Sequence, residues 1–137
     1  MTPQQVRLVQ QSFAQVAPIA PQAAAIFYGR LFEVAPDVKP LFKGDMKVQG
    51  DKLMKALAAV VDGLDRLDQV VPMAQELAKR HLRYGVKREH YAVVGSALLW
   101  TLAQGLGPGF TDDVGAAWGE AYGVLSAAMI VAAYGAE

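Results

Sequence analysis

Histidine occurs twice in this 137-residue chain, at His81 and His90, and cysteine is absent. Lack of cysteine removes disulfides, zinc fingers, iron–sulfur clusters, thiol nucleophiles and thioether-linked cofactors. Any metal chemistry rests on at most two imidazoles and oxygen ligands. His81 follows Leu77 by four residues and falls on the apolar stripe of a helical pattern, while Gln75, Glu76, Lys79, Arg80 and Arg83 fall on its outer face. Burying an imidazole without a partner costs free energy, so some group must satisfy it. One reading is a core histidine bonded to a carbonyl or hydroxyl. The other is a metal ligand, with one ring nitrogen on the metal and the other donating to a backbone carbonyl such as that of Leu77. No Asp, Glu or second His stands three or four positions away on that face, which argues against zinc and di-iron sites. A lone imidazole suffices when a cofactor supplies the remaining coordination, and haem is such a cofactor. His90 ends the polar run Lys87-Arg88-Glu89-His90 and reads as a surface residue.

The elements carrying these groups read as helices throughout. Thr2-Pro3-Gln4-Gln5 is a start signal, and Val6, Val9, Phe13 and Val16 follow at helical spacing until Pro18 and Pro21 interrupt. A second helix carries Ala24, Phe27, Leu31 and Val34 on one stripe, with Tyr28, Phe32 and Ala35 beside it. Pro36 and Pro40 confine 36–42 to a turn-rich link, and 43–48 reads as a polar loop. Leu53, Leu57, Val60, Val61 and Leu64 mark a third helix. Val70, Ala74, Leu77, Ala78, His81 and Leu82 mark a fourth, ending near Gly85. Tyr91, Val94, Leu98, Leu102 and Leu106 mark a fifth, ended by Gly107-Pro108-Gly109. Thr111 caps the last, whose stripe is Val114, Trp118, Ala121, Tyr122, Leu125 and Met129. The expectation is one all-α domain over 1–137, with six or seven helices.

Composition narrows the partners. Hydrophobic residues make up 53% of the chain, enough for one substantial core. Thirteen Lys and Arg balance thirteen Asp and Glu, so no overall charge attracts nucleic acid or an anionic membrane. The N-terminus shows no secretory pattern. The uncharged stretch from Ala121 to Ala136 is 16 residues, short of the roughly 20 that span a bilayer, and reads as a buried terminal helix. A cytoplasmic protein is expected.

Several motifs carry a family resemblance. Phe27-Tyr28-Gly29-Arg30-Leu31-Phe32 and Pro36-Asp37-Val38-Lys39-Pro40-Leu41-Phe42 resemble the second helix and following corner of bacterial single-domain haemoglobins and neuroglobins. Arg80-His81-Leu82-Arg83-Tyr84-Gly85-Val86 resembles their proximal histidine segment. Gly107-Pro108-Gly109-Phe110-Thr111, Ala117-Trp118 and Ala121-Tyr122-Gly123 are similar to their final two helices. The likeness covers nearly the whole chain and implies a globin fold, a three-over-three helical sandwich around haem b. It implies His81 as the proximal iron ligand, Phe42 packed flat on the haem, and Tyr28 and Gln49 as distal groups facing the gas. Leu53 roofs that side, and Lys52, Leu57, Leu77, Arg80, Val86, Tyr91 and Val94 complete the cofactor contacts. Taken singly, Phe42 and Leu53 are ordinary core residues, Tyr28 an ordinary tyrosine bonded to a carbonyl, and Gln49 a solvated residue beside a loop. Gly50 either permits close approach of the second helix or is a weak point near a helix start.

Such a pocket implies tight binding of O2, and of NO and CO, because two hydrogen-bond donors face a ligand that gains partial negative charge on ferrous haem. Gln49 is a poor iron ligand, which implies five-coordinate ferrous haem. The alternative activity is nitric oxide dioxygenation to nitrate, which needs a reductase. The chain ends at Glu137 without a flavin or nicotinamide domain, so the expectation is a separate partner, and either a monomer or a homodimer. Lys79, Arg80, Arg83, Lys87 and Arg88 form a basic cluster that either receives an acidic partner or is a solvated face with one or two residues pairing with haem propionates. Flavohaemoglobin-type enzymes pair a tyrosine, matched by Tyr91, with a glutamate on the last helix. That position falls here on Ala133, which weakens the case for multi-turnover catalysis.

Overall fold

The computed structural model describes residues 1–42, 44–83 and 85–135. Lys43 of the 43–48 link, Tyr84 of the histidine segment, and Ala136 and Glu137 lie outside the described residues. Thr2 starts α1 (Pro3–Val16) through a reciprocal pair: its Oγ1 accepts from the Gln5 amide at 3.1 Å, and Gln5 Oε1 accepts from the Thr2 amide at 2.9 Å. A 3-10 turn containing Pro18 bends the chain into α2 (Ala20–Val34), and a second 3-10 turn, Pro36–Leu41, forms the corner before Phe42. Then come α3 (Met46–Asp62), α4 (Leu67–Arg83), α5 (His90–Leu106) and α6 (Asp112–Tyr134). Thr111 Oγ1 caps α6 by accepting from the Val114 amide at 3.2 Å, with Asp112 and Asp113 favourably placed at its positive end.

Two layers result. Within one, α2 packs on α5 and α5 on α6; the other holds α1, α3 and α4. Across them α4 lies on α6, α1 on α6 and α5, and α3 on α2. This is the expected three-over-three arrangement. Its core joins Val9, Phe13, Phe27, Leu31, Leu98, Leu102 and Trp118. Trp118 Nε1–H donates to Ser12 Oγ at 2.8 Å, which satisfies two buried polar groups while tying α6 to α1. Among the described residues, three pairs of helices successive in the chain, α1 and α2, α3 and α4, and α4 and α5, hardly touch.

Four sequence expectations change. Residues 46–48 are not loop but the first turn of α3, because Asp45 accepts from the Lys47 amide at 2.8 Å and caps the helix early. His90 is not a surface residue but buried at 8% exposure; its Nδ1 accepts from the Lys87 amide at 3.0 Å, and its Nε2 stands 3.7 Å from Asp37 Oδ2. The polar run before it is a tight turn, and the imidazole folds back over it. Val34 and Leu82, placed on apolar stripes, are 47% and 44% exposed. The last helix is buried only through Val114, Ala117, Trp118 and Ala121; beyond Ala121 it is mostly half-buried. By length and composition α6 is apolar enough to cross a membrane, its 23 residues including a window of mean hydropathy 1.3, but it packs against α4, α1 and α5.

Candidate functional site

The site begins with how α4 ends. Gly85 adopts φ +93, a left-handed conformation that glycine takes without steric cost. It lets the Gly85 amide donate to the Leu82 carbonyl and the Val86 amide to the His81 carbonyl, both at 3.1 Å. This pair closes the helix end directly over His81. The Tyr134 hydroxyl of α6 donates to the Val86 carbonyl, so the segment after His81 is held from two sides.

The His81 side chain is fixed as well. Its Nδ1 lies 2.9 Å from the Leu77 carbonyl. A carbonyl only accepts, so Nδ1 carries the proton and the lone pair sits on Nε2. Burial pushes its pKa below the ordinary value, opposed by the Leu77 hydrogen bond and reinforced by the nearby Arg80 guanidinium. The result is a neutral, half-buried imidazole whose Nε2 suits an axial ligand. Among the described residues, no group of three His, Asp or Glu gathers into another metal centre.

Tyr28 of α2 is buried, with its ring edge-on to Phe27 and Phe42 at centroid distances of 5.1 and 5.2 Å and stacked on Phe32 at 5.9 Å. Its hydroxyl donates to the Gln49 backbone carbonyl at 3.5 Å, a long and weak bond. Tyr28, Phe42 and Gln49, far apart in sequence, therefore meet. The approach of α3 to α2 depends on Gly50, where a Cβ would come within 2.9 Å of Ala24 Cβ; the close-approach reading of this glycine holds. Gly50→Ala should force the helices apart and cost about 1–3 kcal/mol through overpacking, seen as a drop of several degrees in Tm. An unchanged Tm would contradict the close-contact role.

Gln49, Leu53 and Leu57 repeat at helical spacing along α3 and are all half-buried. Leu53 and Leu57 border an apolar cavity of about 10 Å3 with Phe13, Phe27, Leu98 and Trp118. Leu77 and Val86 are half-buried near His81, Val94 is half-buried against the core, and Lys52 and Arg80 are exposed on α3 and α4. Tyr91 is buried, and its hydroxyl has no hydrogen-bond partner among the described residues. Tyr134 packs edge-on to Tyr91 at 6.4 Å, beside the Ala133 position. The Tyr122 hydroxyl donates to the Tyr91 carbonyl, in a space left by Gly95. Sequence reasoning missed Tyr134, whose partner Val86 is 48 residues away.

Haem is flat and largely apolar, and the residues present fit it. Leu53 and Leu57 on α3 and Leu77 on α4 are half-buried apolar side chains, His81 on α4 is a neutral imidazole, and Lys52 and Arg80 are exposed cations on the two helices.

Burial also raises the tyrosine hydroxyls. That of Tyr28 is pushed up to about 12, and those of Tyr91, Tyr122 and Tyr134 are raised by burial first and by neighbouring phenols or Glu89 second. Unfolded tyrosines ionise near 10, so above that pH the native state holds the extra protons and stability falls. Tm should stay level from about pH 7 to 9 and drop as the pH rises from about 10 towards 12. A Tm that stays level above pH 10 would contradict this assignment.

Comparison with known proteins agrees with the fold. A globin family model matches residues 25–129. The chain is 34% identical over 107 residues to a flavohemoprotein of Bacillus subtilis (strain 168), covering 76% of this chain and 27% of that protein. It thus spans about a quarter of the relative's length. Among solved structures, a bacterial globin from Campylobacter jejuni superposes with a TM-score of 0.83 at 25% identity, covering 96% of this chain and 95% of that one. The chain belongs to the globin family. It is a haem-binding globin.

Proposed function

We propose that this globin, acting as one domain over 1–137 in the cytoplasm, holds haem b through His81 and reversibly binds O2, and also NO and CO, beside Tyr28 and Gln49. The observation that carries the reading is the His81–Leu77 bond, which puts the proton on Nδ1 and leaves the Nε2 lone pair for a ligand. When bound, haem would be held by His81 and would supply an iron able to take up a diatomic gas. Phe42, Leu53, Leu57, Leu77, Val86, Tyr91 and Val94 provide an apolar seat and exclude water. Lys52 and Arg80 are cations for the propionates. The Tyr28 hydroxyl and the Gln49 amide donate to the gas.

The glutamate position of flavohaemoglobin-type enzymes falls on Ala133, and residues 121–135 contain no acid. His81 therefore remains a neutral ligand, which favours reversible binding over nitric oxide dioxygenation with a reductase. With haem loaded and reduced in the absence of gas, the visible spectrum should show a single axial imidazole. A bis-imidazole spectrum would overturn this pocket and implicate His90.

A further inference from the structure

On their solvent side α5 and α6 leave a groove of about 450 Å3 between them. At its base Gly95 is buried and admits the Tyr122 ring; a Cβ there would stand 2.6 Å from Tyr122 Cε2. On the α5 side the groove is bordered by Arg88 in the preceding turn, then Ala92, Ser96 and Leu99. On the α6 side Gly119, Gly123, Ser126 and Ile130 border it at helical spacing. Gly119 and Gly123 are exposed, and a Cβ at either would meet nothing within 4 Å. Neither has a positive φ. Glycine in a helix interior is destabilising relative to alanine, and here neither packing nor backbone conformation requires it. What the two glycines provide is an open channel along α6. Charge is placed at one end of it: among the described lining residues the exposed Arg88 is charged and none is acidic. Residues 121–135 of α6 carry no charge either, so that wall is apolar.

We infer that this groove binds one free fatty acid, its carboxylate on Arg88 and its alkyl chain laid along Ala92, Leu99, Gly119 and Gly123. A volume of about 450 Å3 is ordinary for a small-molecule site. The span from Arg88 to Leu99 is roughly 16 Å at the helical rise of about 1.5 Å per residue, the length of extended dodecanoate. Burial of the chain against apolar walls drives uptake. The guanidinium, a planar fork of donors that matches a carboxylate, selects the anion. Among the described residues the groove shares Tyr91 alone with the haem contacts proposed above, so it is a second site rather than a lobe of the first.

The test titrates the purified holoprotein with dodecanoate, below its micellar concentration, by isothermal titration calorimetry. One molecule should bind per chain, and each methylene added from octanoate to dodecanoate should tighten binding about two- to fourfold. Chains longer than the groove should gain little more. Gly123→Leu puts a side chain into the channel, and leucine is a better helix former than glycine. Its Tm should therefore hold while its affinity for dodecanoate falls about tenfold or more. Arg88→Glu reverses the charge that meets the carboxylate; it should weaken dodecanoate about fivefold or more and leave dodecanol unchanged. The Soret band should not move in these titrations. Wild-type affinity in Gly123→Leu, equal affinity for dodecyltrimethylammonium, a Soret shift that tracks dodecanoate, or heats that never saturate would overturn the inference. So would a different occupant of the groove, seen as dimers in sedimentation velocity or as co-sedimentation with phosphatidylglycerol vesicles, either one abolished by Gly123→Glu.

Discussion

Tyr28→Phe should speed O2 dissociation by roughly 10- to 100-fold. A hydrogen bond to an acceptor that carries partial charge contributes about 1.5–3 kcal/mol, and each 1.4 kcal/mol is tenfold in rate. The hydroxyl is available for that role because its bond to the Gln49 carbonyl, at 3.5 Å, is at the limit of contact and little is lost when it turns. Burial keeps its proton on, with a pKa pushed up to about 12, so it stays a donor at physiological pH. The substitution keeps the ring and its packing on Phe27, Phe32 and Phe42, and the fold should survive. Stopped-flow displacement of O2 by CO measures the rate directly. An unchanged rate would show that the hydroxyl does not face the gas, and Gln49 would then be the remaining donor.

Much of this was legible in the chain because the governing interactions are local. Thr2 and Gln5 cap across three residues, and the helical spacing from Val70 through Ala78 that singles out His81 is itself local. Gly85 closing α4 after His81 is a short-range stop signal. The failures have the opposite character. His90 looked solvated among charged neighbours, but its second partner, Asp37, is brought close only by the fold. Tyr134 contacts Val86 and Tyr91 across more than forty residues, and no helical spacing announces either. The half-exposure of α6 after Ala121 escaped notice because its apolar residues surround the helix, leaving no polar face to mark solvent. Asp45 gave a local capping signal before Met46, but the polar run around it hid the helix start.

The central claim is that His81 holds haem through Nε2. The Nδ1–H bond to Leu77 fixes the ring, and the helix end closed by Gly85 and Val86 fixes the backbone beneath it. On this account, removing the imidazole takes away the proposed iron ligand while leaving the helix to its own hydrogen bonds, and alanine is the best helix former. His81→Ala should therefore fold with wild-type helicity by far-ultraviolet circular dichroism. The direct measurement is the Soret band of the purified variant beside wild type, with free imidazole then added. The band should be lost or strongly reduced in His81→Ala and restored towards the wild-type position by imidazole. A folded His81→Ala protein that keeps haem with an unshifted Soret band would contradict the account.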